Sequence, residues 1–504
     1  MIYVPAIKQF FVACIRALRG CLSVAIFSMF LIESNTFGAD TAPPSPEKPW
    51  SPPGLNKYQE ELTKKDFYAK QDAESVKIDP IRAYDLPELI DIAERSNPDT
   101  RIAWEHARQA AKAVGLSEST YYPYLAASAA SGYQHQLAVL TSAFLANAAA
   151  QNVALDMKWL LFDFGGREAT VTAARERLML ANVTFNATHQ QIVFNVTRSY
   201  YEFIIARDQV GVAETSLKTA QTVQEAAQAR FDNGLAKKPD LLQSEQQTAQ
   251  ADYDLEAARG NLSDARVALV ESLGIVPSTQ LQVAGMAGKS FSAYSDDSLD
   301  ELIDRALSQR PELVARLANL RANQAEVRKA RAEYYPKISL EGSVGWEKLD
   351  IYVADTPSFG NSKPEYGVGV SIDLPIFEGF ARDNQLRIAQ SQLRAAESEL
   401  ADSRNAVVRE VWKAYTDLKT ALRKQNAAAK LKTAAESAFD ASLEAYRHGL
   451  GTYVDVANAQ RNVTAARSTV VDTRSSIFIS IDTLALSVGD LAKAQPTDVT
   501  QRKK

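Results

Sequence analysis

A duplication constrains this chain more than any other feature. Leu86, Glu88, Leu89, Ile90 and Asp91 return as Leu299, Glu301, Leu302, Ile303 and Asp304, at a spacing of 213. Pro98 and Tyr121-Tyr122-Pro123 return at the same spacing as Pro311 and Tyr334-Tyr335-Pro336. Farther on the spacing is 215, joining Phe162 to Phe377, Arg167 to Arg382, Tyr200 to Tyr415, Gly234 to Gly449, Asp240 to Asp455 and Gly274 to Gly489. Chance does not hold register that long. The 504 residues are therefore read as two copies of one helix–strand–strand–helix–helix unit, not as the three domains their length would allow. The copies span 84–275 and 298–490, with a linker at 276–297 and a tail at 491–504.

Within each copy lies a proline-free run, in the second from Phe377 to Tyr446. A helix of about 65 residues would measure on the order of 95 Å, too long for an ordinary globular domain. Leu393, Ala396, Leu400, Val407, Val411 and Tyr415 recur at three- and four-residue steps, flanked by small residues that let helices approach closely. The apolar stripe is wider than the seam of a solvated two-stranded coiled coil. The runs Pro311 to Tyr334 and Tyr453 to Val488 together nearly equal the long run, so two shorter helices stacked end to end fit beside one long one.

Before each long run the period changes to two. In YGVGVSIDLPI, Tyr366, Val368, Val370, Ile372, Leu374 and Ile376 alternate with Gly367, Gly369, Ser371, Asp373 and Pro375. In KISLEGSVGWE, Ile338, Leu340, Val344 and Trp346 share one face. The first copy sets Leu155, Met157, Trp159 and Leu161 against Asp156 and Lys158, with a weaker Ala/Ser-rich partner from Leu125 to Tyr133. Each segment is about ten residues, the length of a membrane-spanning strand. The alternation alone fits a soluble half-buried sheet equally well. Two isolated hairpins (about 123–163 and 337–377) give four strands per chain, too few to close a barrel. Open edges in lipid cost several kcal/mol per unpaired group, so closure requires other copies, and three chains supply twelve strands. Leu155, Trp159, Val368, Val370, Ile372 and Leu374 are expected to face lipid.

The N-terminus carries Lys8, Arg16 and Arg19, an apolar run from Leu22 to Ile32, and small residues before Ala39. This reads as a secretory signal over 1–39, the apolar run being short for a retained anchor. Cys14 and Cys21, the two cysteines, lie inside it, so the mature chain has no thiolate or disulfide. Leu18-Arg19-Gly20-Cys21 makes a poor lipidation box, because an arginine precedes and an apolar run follows the cysteine. Residues 40–83 are rich in Pro and charge and read as a linker with a short helix in its second part.

Nothing points to an enzyme or to a cofactor. VAGMAGKS, ending at Ser290, lacks the first glycine of a phosphate loop. His106, His135, His189 and His448 show no metal spacing, and the net charge of -5 comes with no basic stripe for nucleic acid. A soluble periplasmic coiled-coil adaptor shares the long helices but has no need of the strands.

With its double repeat, YYP before a strand, PIFEGFAR after one, and a Gly-Leu-x-Thr-x-x-Asp turn at Gly449, the chain resembles the TolC-like outer-membrane factors over about 84–490. The resemblance implies a mainly α protein with membrane β: a homotrimeric twelve-stranded β-barrel in outer-membrane lipid, continuous with a long α-helical barrel in the periplasm of a Gram-negative bacterium. It implies an exit duct for tripartite efflux or type I secretion, docked on a periplasmic adaptor and an inner-membrane RND pump or ABC exporter. It also places Asp240, Tyr446, Asp455 and Asn458 at the periplasmic aperture, and Gly234, Leu235, Gly449, Leu450 and Thr452 at adaptor-docking tips. Two tip positions depart from some members: Gly451 stands in place of an arginine and Asn458 in place of a second aspartate.

Overall fold

Local signals along the chain set several helix boundaries in the computed structural model, which describes residues 55–63, 78–139, 143–276, 279–285, 298–353 and 359–490. The expected signal segment, most of the expected linker and the tail at 491–504 lie outside those residues. A nine-residue helix, α1 (Leu55–Thr63), belongs to a separate N-terminal unit.

The first repeat follows in the second unit. Its elements are β1 (Ala83–Tyr84), α2 (Leu86–Ser96), α3 (Pro98–Glu118), β2 (Tyr124–Val139), β3 (Ala143–Phe162), α4 (Gly166–Asp232) and α5 (Lys238–Ser272), and β4 (Gln282–Val283) in the linker that follows pairs in parallel with β1. The second repeat gives α6 (Leu299–Gln309), α7 (Pro311–Ala332), β5 (Lys337–Val353), β6 (Phe359–Asp373), α8 (Ala381–Arg447) and α9 (Tyr453–Val488). Capping boxes start α2 (Asp85 with Glu88) and α6 (Ser298 with Glu301), each satisfying two orphan N–H groups. Pro98 and Pro311 open α3 and α7, where the missing N–H costs nothing.

The long helices α4 and α8 have 67 residues each, about 100 Å of rise. A stacked pair of shorter helices flanks each one, as their lengths require. Where α5 ends, Gly274 meets the start of α3 so closely that a Cβ would lie 2.6 Å from the Asn97 Cα. Its φ of +72° independently favours glycine. Gly489 ends α9 with a φ of +87°, in ordinary contact with Gln309 and Arg310 at the α6–α7 junction. Near this level, Leu89, Ile90, Val196, Tyr200, Leu269 and Leu273 form one buried core, and Leu302, Val411, Ile477 and Leu484 another.

The strands differ from the sequence expectation in two ways. The hairpins are not isolated: β3 pairs antiparallel with β5, giving one four-stranded sheet in the order β2-β3-β5-β6. The strands also run for 15 to 20 residues instead of about ten. The added length mixes polar residues (Gln151, Asn152, Lys348, Lys363, Glu365) with an alanine-rich stretch at the start of β3, and a backbone ladder extends wherever both partners continue. Only the apolar alternation near the helix junction has the span that a bilayer core sets.

Candidate functional site

The sheet has two chemically opposed faces, set by register. Leu155 pairs with Val344 and Val344 with Tyr366; Trp159 pairs with Leu340 and Leu340 with Val370. Phe162, Ile338 and Ile372 form the next row. Leu155, Trp159, Val368, Val370 and Ile372 thus share one exposed apolar face, while Leu374 lies just beyond the end of β6. On the opposite face Lys158 pairs with Glu341 at 3.3 Å, Ser371 Oγ donates to Glu341 at 3.1 Å, and Ser128 Oγ donates to Asp156 at 3.0 Å. The outer edges of β2 and β6 have no strand partner among the described residues.

Where strand turns into helix, each repeat uses an arginine that sequence reasoning left without a role. Arg167 donates to the Leu160 and Leu161 carbonyls at 2.6 and 2.8 Å, lies over the Tyr121 ring, and approaches Asp163. Arg382 repeats this with the Pro375 carbonyl, the Tyr334 ring and Glu378. Their common register in the duplication was the available signal. The corner itself is strained: Phe164 (φ +52°) and Phe380 (φ +64°) sit in the left-handed region, at a cost of about 1–3 kcal/mol each.

At the other end of the long helices lie the two tip turns. Gly234 and Gly449 have φ of +71° and +75°. Leu235 N–H returns to the Arg230 carbonyl and Leu450 N–H to the Ala445 carbonyl, both at 2.8 Å, closing the C-terminal turns of α4 and α8. This geometry leaves Leu235 and Leu450 66% and 86% exposed. Thr452 forms a capping box with Asp455, whose exposed carboxylate is held below its ordinary pKa by the Thr452 hydroxyl and backbone N–H. Asp240 occupies the matching position, half-buried, but Lys237 cannot accept the reciprocal bond. The Asp240 carboxylate consequently has no hydrogen-bond or ion-pair partner among the described residues.

The other two aperture residues are engaged within the chain. Asn458 Oδ1 accepts from Arg461 one turn on. Tyr446 is 2% exposed, edge-on to Tyr453 at 6.2 Å, in a core with Val223, Leu443, Val456 and Val463. Burial raises the pKa of Tyr446, Arg230 opposing, and pushes that of Tyr453 up to about 12. The Tyr446 hydroxyl makes no hydrogen bond of normal geometry; the Arg230 guanidinium lies over the ring, 4.9 Å from its centre.

Arg230 is the tip residue that the sequence reading missed. Its Nη1 donates to the Tyr446 carbonyl at 2.5 Å and its Nη2 to the Leu235 carbonyl at 3.1 Å, tying one tip to the other. Its counterpart in the second repeat is Ala445, so the duplication marked the position as a departure.

The model of the outer membrane efflux protein family matches residues 89–275 and 302–490. The chain belongs to that family. Protein CyaE of Bordetella pertussis is 27% identical to this efflux-family chain over 375 residues, 74% of this chain and 77% of CyaE. Outer membrane protein TolC of Escherichia coli is 23% identical over 397 residues, 75% of this chain and 76% of TolC. The solved structure of the outer-membrane channel OprN superposes with a TM-score of 0.72 at 18% identity, covering 83% of this chain and 95% of OprN. The fold is that of the TolC-like channels, and the protein resides in the outer membrane of a Gram-negative bacterium. Membership in this family removes the soluble-adaptor alternative. Among the described residues no helix is long and apolar enough to cross a membrane.

Proposed function

We propose that this chain forms the outer-membrane exit duct of a tripartite efflux or type I secretion system. It would work as a homotrimer with a periplasmic adaptor and an inner-membrane RND pump or ABC exporter. One observation carries the reading: a four-stranded sheet with one apolar face and two edges that have no strand partner among the described residues. In a bilayer those edges cost several kcal/mol per unpaired group unless closed, and β6 of one copy against β2 of the next closes twelve strands over three copies. Leu155, Trp159, Val368, Val370, Ile372 and Leu374 then meet lipid, while the helices descend to the tips. The test is the mass of the protein released from outer membranes by mild detergent. Three chains are expected; a monomer with full strand content ends the reading.

At the tips, Leu235 and Leu450 offer apolar contacts to the adaptor, with Gly234, Gly449 and Thr452 shaping the turns. Asp240 and Asp455 from three chains supply six carboxylates around the aperture, which repel one another and attract cations. Divalent cations added on the periplasmic side of a planar bilayer should block conductance, and the Asp240→Ala, Asp455→Ala variant should lose that block. Unchanged block in the variant would reduce both residues to helix starts and place the gate elsewhere. Tyr446 and Asn458 would act there by positioning the tips, since both already have contacts inside the chain.

A further inference from the structure

Beside the strained Phe164 lies a cavity of about 330 Å³, bounded by the start of α4 and the end of α7. Its walls include Phe164, Glu168, Thr172, Arg328, Arg331 and Tyr335. Arg328 and Arg331 are exposed, one helical turn apart, and neither guanidinium has a hydrogen-bond or ion-pair partner among the described residues. Glu168 lines the same cavity without forming an ion pair to either of them. Opposite charges that share a cavity without touching leave room for a bridging group of both signs.

The surroundings say where that group comes from. Phe164 packs edge-on to Phe162 at 4.7 Å and stacks on Tyr335 at 4.9 Å. Phe162 belongs to the apolar face of the sheet, in register with Ile338 and Ile372. An aromatic path therefore joins that face to the cavity at the helix end of the sheet. On the duct reading, on which this inference rests, that level is the periplasmic leaflet, made of phospholipid. Aromatic residues and arginines at such a boundary are where headgroups are held.

We propose that the cavity is a headgroup site for phosphatidylethanolamine. Arg328 and Arg331 bridge the phosphate, Glu168 meets the ammonium, and the acyl chains run past Phe162 along the sheet. The positions related to these by the duplication carry no such set: Arg328 and Arg331 of the second repeat correspond to Gly115 and Glu118 of the first, and Asp383, the second-repeat counterpart of Glu168, is paired with Arg387 at 3.0 Å. The duplication thus diverged to one site per chain. The strained φ of Phe164 has its use here, since it turns the ring into the wall of the site; at the other corner the order of Phe and Gly is reversed (Gly379-Phe380).

Native mass spectrometry of the detergent-released assembly tests this, with synthetic phosphatidylethanolamine, phosphatidylglycerol, phosphatidylcholine and inorganic phosphate as separate probes. Wild type is expected to retain one phosphatidylethanolamine per chain in preference to the other lipids. Arg328→Gln with Arg331→Gln should lower that retention by about tenfold or more, as loss of two charge-assisted contacts implies. Glu168→Gln should erase the preference for the amine headgroup. Phosphatidylglycerol held as well as phosphatidylethanolamine, displacement of lipid by millimolar inorganic phosphate, or undiminished retention in the double variant each overturn the site. The same masses keep the two readings apart: trimers without lipid overturn the headgroup site alone, whereas absence of trimers overturns the duct.

Discussion

At the first tip the chain leaves α4 through Asn233-Gly234-Leu235 and restarts at Lys238; at the second it leaves α8 through His448-Gly449-Leu450 and restarts at Tyr453. The turns are near copies, with left-handed glycines and the same returning hydrogen bonds. What fixes them in place differs. The second tip is locked locally, by the Thr452–Asp455 capping box. The first has Lys237 at that position, which cannot cap, and instead sends Arg230 across to the second tip. Duplicated backbone geometry has thus been kept while the side chains that stabilise it moved apart. The first tip holds the second, and the second also holds itself.

The largest way to break this comparison is through the exposed leucines. Leu450→Asp should abolish export while trimer and outer-membrane insertion persist, and Leu235→Asp should reduce export less, because Leu450 protrudes further. Wild-type export by the Leu450→Asp strain would take the tip out of the docking surface. Next in size is Arg230→Ala. It removes charged hydrogen bonds to the end of α8 and the contact with Tyr446, worth about 2 kcal/mol locally. Amide exchange at residues 446–450 should quicken by about tenfold or more, with the core at Val411 and Ile477 unchanged. Unaltered exchange there would show that the tips are joined by packing alone.

The smallest effects come from the caps. Thr452→Ala should cost about 1 kcal/mol at the start of α9, whereas Lys237→Thr, by giving Asp240 a partner, should stabilise α5 by at most that much. The signature of the Thr452–Asp455 box is its pH dependence. Asp455 has a depressed folded pKa, so its contribution is complete above the ordinary aspartate value of about 3.9 and is lost as pH falls through the folded value. Exchange at the first turn of α9 should therefore quicken in acid, relative to the rest of that helix, in wild type but not in Thr452→Ala. A first turn of α9 with the same acid response in both would mean that the box is not what holds it.

Much of this molecule is written in short-range sequence. The register of 213 and 215 residues gives the two repeats, the proline-free runs give the long helices, and period-two alternation gives the faces that Leu155, Trp159, Val368, Val370 and Ile372 occupy in the sheet. Gly234 and Gly449 announce their turns because few other residues tolerate a positive φ there. These features depend on neighbours a few positions away or on a comparison of the chain with itself, so no tertiary information was needed. The pairing of β3 with β5, which turned two hairpins into one sheet, was not legible, since backbone ladders form between any strands whose registers agree. That Tyr446 is buried under α4 and α9 was not legible, and Arg230 reads as one more surface arginine until Tyr446 comes within reach across 216 residues of chain. Arg328 and Glu168 likewise share a cavity only because α7 of one repeat packs on α4 of the other. Long-range contacts of this kind carry no period and no fixed spacing, and only the folded chain brings their partners together.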